Sequence, residues 1–180
     1  PRARRLARAL GARAITPNQI SVLSMVFALI GALALLGFAD SAGLWTLPIA
    51  AICIQLRLLC NLLDGMVAVE GGKASATGGL YNEVPDRVAD SLLLVAAGYA
   101  AQWAWLGWLA ALLAVQTAYI RCLVASMGLP HDFSGPMAKQ HRMAVLTVAC
   151  LLATVEAWHW SSGYCLQAAL ALIAIGCVWT

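Results

Sequence analysis

The stretch Asn61–Asp90 reads NLLDGMVAVEGGKASATGGLYNEVPDRVAD. It gathers Asp64, Glu70, Glu83, Asp86 and Asp90 with Asn61 and Asn82, in a 180-residue chain that is 62% hydrophobic and only 11% charged. Ordinary soluble domains carry about 25% charged residues. The spacing of the polar groups is helical. Asn61 and Asp64 stand three apart and share one face; Asn82, Asp86 and Asp90 step by four and form a second stripe. Gly71, Gly72, Gly78 and Gly79 lie between them and mark a short loop. The stretch therefore reads as two antiparallel helices. At about 1.5 Å of rise per residue, Asn61 comes level with Asp86, and Asp64 with Asn82. Carboxylates buried together are costly unless a positive group neutralises them. Clusters of oxygen ligands suit Mg²⁺, Mn²⁺ or Ca²⁺. The small residues Gly65 and Ala68 leave room for a ligand. Glu70 and Glu83 are read as solvated groups at the interface.

Working outward, the rest of the chain reads as membrane helices. A spanning helix needs about 20 mostly apolar residues. Six candidates appear: Ile20–Phe38, Leu44–Val69, Leu80–Ala101, Trp103–Met127, a fifth from near Met137 to Trp158, and Tyr164–Trp179. The expected fold is all-α and integral to the membrane: one domain over 1–180, with residues 16–180 forming a six-transmembrane-helix bundle. Thr16-Pro17-Asn18-Gln19 marks the first helix start, with a capping Thr, Pro at the first helical position and Gln at the third. Before it, Leu6 and Leu10 fall on one face among arginines. Residues 1–15 are read either as an amphipathic helix on an anionic membrane surface or as a frayed basic tail.

Lys and Arg set the orientation. Arg2, Arg4, Arg5, Arg8 and Arg13 precede the first span, and Lys73, Lys139 and Arg142 lie in loops on the same side. The opposite loops, near Asp40, Gln102 and Ser161, hold neither. Both termini and the acidic site are thus expected on the cytoplasmic side, in a bacterial inner membrane. Trp45, Trp103, Trp105, Trp108, Trp158 and Trp160 fall at outer span ends, as an aromatic belt requires. The net charge of +3 follows from this topology, so no nucleic-acid partner is expected. The chain starts at Pro1 without Met and is read as a fragment. Its first span is too long for a signal-peptide core. Cysteines 53, 60, 122, 150, 165 and 177 lack paired spacing and read as small hydrophobes.

The acidic stretch resembles the signature of the CDP-alcohol phosphotransferases, or CDP-alcohol phosphatidyltransferases, D-x2-D-G-x2-A-R-x8-G-x3-D-x3-D. It falls on Asn61, Asp64, Gly65, Ala68, Val69, Gly78, Asn82 and Asp86 with every spacing kept. The six-span layout and the Thr16-Pro17-Asn18 start resemble that family too. The resemblance implies a membrane phosphotransferase of phospholipid biosynthesis. It would move a phosphatidyl or phosphoalcohol group from a CDP-alcohol, such as CDP-diacylglycerol, to an acceptor hydroxyl, and release CMP. It implies two divalent ions, Mg²⁺ or Mn²⁺, held at Asn61, Asp64, Asn82 and Asp86, with Asp86 as the base. Two metals can stabilise the attacking and leaving oxygens of an in-line displacement. Gly65, Ala68 and Gly78 would line the substrate. The chain departs from the signature at three positions: two of the four acids are Asn61 and Asn82, and the usual Arg is Val69. The two Asn remove negative charge and should weaken metal binding. Inositol phosphate, glycerol phosphate, serine and choline-type acceptors all stay open, as does a homodimer. The alternatives are an ion or proton transporter, since intramembrane acids also mark ion pathways, and a catalytically silent relative that binds a nucleotide lipid.

Three basic residues and one buried pair complete the reading. Arg121, Lys139 and Arg142 could together hold an acceptor phosphate; Lys139 and Arg142 are equally well read as positive-inside loop charge. Arg57 sits mid-span, where a lone charge costs at least about 2.5–3.5 kcal/mol. On the hairpin count it faces Asp90, its expected structural counter-ion. His131 and His141 lack metal-site spacing, and His159 is read as interfacial. Asp40 and Glu156 are expected to be solvated span ends.

Overall fold

The structure, a computed structural model, describes residues 16–39, 43–70, 78–128, 135–159 and 163–180, with backbone alone at 68–70, 78, 81 and 82. The expected amphipathic segment 1–15 and the loop acids and bases Asp40, Lys73 and His131 lie outside these residues. The described residues form six α-helices: α1 Pro17–Ala39, α2 Thr46–Glu70, α3 Gly78–Ala100, α4 Ala104–Ser126, α5 Lys139–His159 and α6 Tyr164–Trp179. The family of spans read from hydropathy is present as helices, with α3 starting at Gly78 rather than after the glycine pair.

Four of the six are long and apolar enough to cross a membrane: Pro17–Ala39, Thr46–Val67, Ala104–Ser126 and Lys139–His159. The other two differ for identifiable reasons. Helix α3 carries Glu83, Asp86, Arg87 and Asp90. Helix α6 has only 16 residues, about 24 Å at the usual rise.

The first helix begins as its sequence dictates. The Thr16 amide donates to Gln19 Oε1 at 3.0 Å, and the Gln19 amide donates to Thr16 Oγ1 at 3.3 Å, so two of the free N–H groups at the helix start are satisfied reciprocally. Helix α1 packs on α2 and α3, α2 on α5, α3 on α4, and α6 on α4 and α5. Leu93, Leu94, Met143, Leu146, Leu170 and Ile173 are fully buried in the centre. Large apolar side chains also cover the outside, among them Leu33, Ile52, Leu112 and Val155. An apolar exterior over an interior rich in small residues is what lipid as solvent permits.

The α3–α4 crossing is a close backbone-to-backbone approach. A turn at 101–103, with Gln102 in the left-handed region at φ 59°, folds α4 back so that a Cβ on Gly98 would lie 2.7 Å from the Gly107 Cα. Backbone cannot yield to such a contact. Gly98→Val is therefore expected to destabilise the protein by about 1–3 kcal/mol, as overpacking does. Gly65→Ala is the control in the same thermal melt, because nothing lies within 4 Å of a Cβ there, and no comparable loss is expected.

One expectation is corrected here. Glu156 is not a solvated span end. It is 8% exposed, and its carboxylate accepts the amides of Tyr164 at 2.7 Å and Cys165 at 2.9 Å. It caps α6, whose start at Gly163 supplies no side-chain cap. A carboxylate there also meets the positive end of the helix dipole.

Candidate active site at the α2–α3 hairpin

The charged residues of α2, α3 and the start of α5 meet at one end of the bundle. Asp86 is at the centre, 2% exposed. Its Oδ1 accepts the Asn61 side-chain amide at 2.6 Å and faces Arg57 Nη2 at 3.1 Å. Its Oδ2 is bonded by Lys139 Nζ, and Arg87 Nη2 lies 3.8 Å away. Asp90, one turn further along α3, bridges two guanidinium groups: Arg57 Nη2 at 2.7 Å and Arg142 Nη2 at 3.0 Å. Arg57 and Arg142 are 0% and 1% exposed. Arg142 also donates to the Met137 carbonyl at 2.8 Å.

Helical spacing explains the arrangement. Arg57 and Asn61 are one turn apart on α2, and Asp86 and Asp90 one turn apart on α3, so the antiparallel helices present two matched rungs. Pro85 lies inside α3 immediately before Asp86. Its ring removes one intrahelical donor, and the Asp86 carbonyl faces Arg57 Nη2 at 3.4 Å.

Two features of the site lie outside the sequence reading. Ser21 of α1 donates to Asp64 Oδ2 at 2.7 Å, which brings the first helix into the site; nothing in the signature refers to α1. Arg87 is the other. It lies 3.6 Å from Glu83 and has no hydrogen-bond partner for Nε or Nη1. Its signal was present, since a basic residue beside Asp86 and four positions after Glu83 makes an i,i+4 pair.

The structure thus brings together Arg57, Asn61, Asp86, Asp90, Lys139 and Arg142, and sets Asp64 beside them, within electrostatic reach of both Asp86 and Lys139. Gly65 opens to free space. The side chains of Asn82 and Ala68, and the surroundings of Gly78, lie outside the described residues. The reading of a free phosphate-binding group is corrected for Arg142: it is buried and committed to Asp90, because α5 starts at Lys139 and turns Arg142 inward. Arg121 lines a cavity of about 340 Å³ with Thr117, Gly135 and Trp179, within electrostatic reach of Arg87 and Arg142. The Arg57–Asp90 contact is one edge of a larger network rather than an isolated pair.

An apolar groove of about 460 Å³ runs along α3 from Arg87 to Tyr99. Leu29 and Leu33 of α1, Leu92 and Val95 of α3 and Trp108 of α4 form its walls.

Oxygen donors stand at one end of the helix bundle with cations around them, an arrangement suited to phosphate chemistry. The comparisons with known proteins agree. The CDP-alcohol phosphatidyltransferase family model matches residues 14–180, and the chain belongs to that family. Among solved structures it resembles Mycobacterium tuberculosis phosphatidylinositol phosphate synthase PgsA1. In complex with manganese and citrate, that protein superposes with a TM-score of 0.79 at 19% identity, over 98% of this chain and 84% of that one. With CDP-DAG bound the TM-score is 0.72, at 19% identity, over 98% and 89%. In the apo form it is 0.74, at 20% identity, over 96% and 88%. No curated protein matches the sequence.

Proposed function

We propose that this protein transfers the phosphatidyl group of CDP-diacylglycerol to a small alcohol or alcohol phosphate at the cytoplasmic membrane face, releasing CMP. The observation that carries the reading is the convergence of Asp86, Asn61 and Asp64 at the open Gly65 end of the α2–α3 hairpin. The family match to residues 14–180 and the fold shared with PgsA1 support it. So does the groove beside Arg87, which suits an acyl chain with its phosphate near the guanidinium.

The donor set has the chemistry of a divalent-metal site. Carboxylate oxygens of Asp64 and Asp86 and the amide oxygens of Asn61 and Asn82 are hard ligands of the kind Mg²⁺ and Mn²⁺ take. Such an ion, when bound, would polarise the diphosphate and stabilise the departing CMP. Asp86 is the residue that takes the acceptor's proton. Arg57 and Asn61 hold its Oδ1, so its orientation is fixed, while Oδ2 is the oxygen that Lys139 must yield. Arg121, which lines a cavity with Thr117, Gly135 and Trp179, would hold an acceptor phosphate. Residues 1–15 would lie on the same membrane face, as would both termini.

A second reading has its own observation: both oxygens of Asp86 are already engaged by cations or an amide. That favours a silent relative that binds the nucleotide lipid and does not turn it over. CMP release decides between them. The purified protein, given CDP-diacylglycerol, Mg²⁺ or Mn²⁺ and a panel of acceptors, is expected to form CMP with one acceptor class and to stop on chelation. No CMP with any acceptor and either metal would leave the silent relative.

A further inference from the structure

Among the described residues, the charges around Asp86 balance. Three carboxylates, Asp64, Asp86 and Asp90, stand among three cations, Arg57, Arg142 and Lys139. Arg87 pairs with Glu83 at the rim and also lies 3.8 Å from Asp86, so this pair adds no net charge. Two of the signature's four acidic positions are Asn61 and Asn82, so the site lacks the charge that would draw divalent ions from solution. Asn61 turns its amide N–H toward Asp86. Mg²⁺ is in general held by one or two carboxylates together with substrate phosphates, and seldom by protein groups alone.

We propose that the divalent ion enters this site only together with the diphosphate of the nucleotide lipid, and that Lys139 is the built-in counter-cation that holds Asp86 until then. The inference rests on the nucleotide-lipid reading above, though not on turnover. Lys139 is suited to the exchange. It stands at the first position of α5 and its side chain is 20% exposed, whereas Arg57 and Arg142 are sealed in. Its ammonium is a mobile point charge that can pass from a carboxylate to a phosphate. Arg57 stays on Asp86 and Asp90 throughout and keeps the carboxylate in place.

The test is Mn²⁺ uptake by the purified protein in nanodiscs, read from the loss of the free-ion EPR signal. Protein-free nanodiscs carrying the same lipid are subtracted. Wild type is expected to bind Mn²⁺ at least about 10-fold more tightly with CDP-diacylglycerol than without it, since ligand charge tunes such sites over decades of affinity. Lys139→Met is expected to gain Mn²⁺ affinity in the absence of nucleotide, and Asn61→Asp with Asn82→Asp to gain more. Lys139→Arg should keep the wild-type pattern, which separates lost charge from lost folding. Equal uptake by wild type with and without CDP-diacylglycerol would overturn the proposal, as would a folded Lys139→Met protein whose nucleotide-free uptake is unchanged. Nucleotide-dependent uptake without CMP release would sink the transferase reading and leave this inference standing. CMP release with nucleotide-independent uptake would do the reverse.

Discussion

Replacing Asp86 by Asn is expected to lower CMP formation by at least about 10²–10⁴-fold, the usual worth of general base catalysis, while the protein stays folded. The substitution keeps the shape and an oxygen for Asn61 and Arg57, and removes the group that can take a proton. Arg57 retains Asp90 as counter-ion at 2.7 Å, so the network does not collapse. Single-turnover CMP release, with a thermal melt on the same preparation, measures both parts. A variant that keeps most of its activity would take Asp86 out of the base role.

The second large effect is on stability. Arg57→Ala leaves Asp86 and Asp90 with one cation fewer in a buried setting, which typically costs about 3–5 kcal/mol. Had Arg57 and Asp90 been an isolated pair, replacing both with apolar residues would recover the loss. They are not isolated. Asp90 also holds Arg142, which is 1% exposed. Arg57→Met with Asp90→Leu then orphans Arg142, and little recovery is expected. Adding Arg142→Met should restore the midpoint, because no buried charge on that rung remains unpaired and Asp86 keeps Lys139. Melting temperatures of the single, double and triple variants check the order; full recovery in the double variant would show Arg142 to be dispensable.

These cases show what the chain discloses and what it withholds. Periodicity and hydropathy disclose the helices, because burial of apolar surface has a simple spacing. The two rungs, Asn61 with Asp86 and Arg57 with Asp90, follow from counting along an antiparallel hairpin. Partners from distant elements do not. Arg142 is 52 residues from Asp90 and Ser21 is 43 from Asp64; only packing of α5 and α1 brings them in. Loop composition was misleading for Arg142. Three residues into a helix the side chain can point inward, whatever the neighbouring loop's charge. Glu156 misled for a similar reason: a carboxylate near a span end reads as solvated until the next helix is seen to need a cap. Signature spacing located the site, but it could not say that Lys139 would sit where a metal is expected, since α5 lies outside the signature.

The carboxylate at the start of α6 bears on how the protein is made. Sixteen residues make a short apolar helix, and amides left unpaired at its start would cost free energy wherever water is scarce. Glu156 answers two of them from α5. Helix α6 thus takes its N-terminal cap from α5, and Glu156→Ala is expected to act on assembly rather than on catalysis.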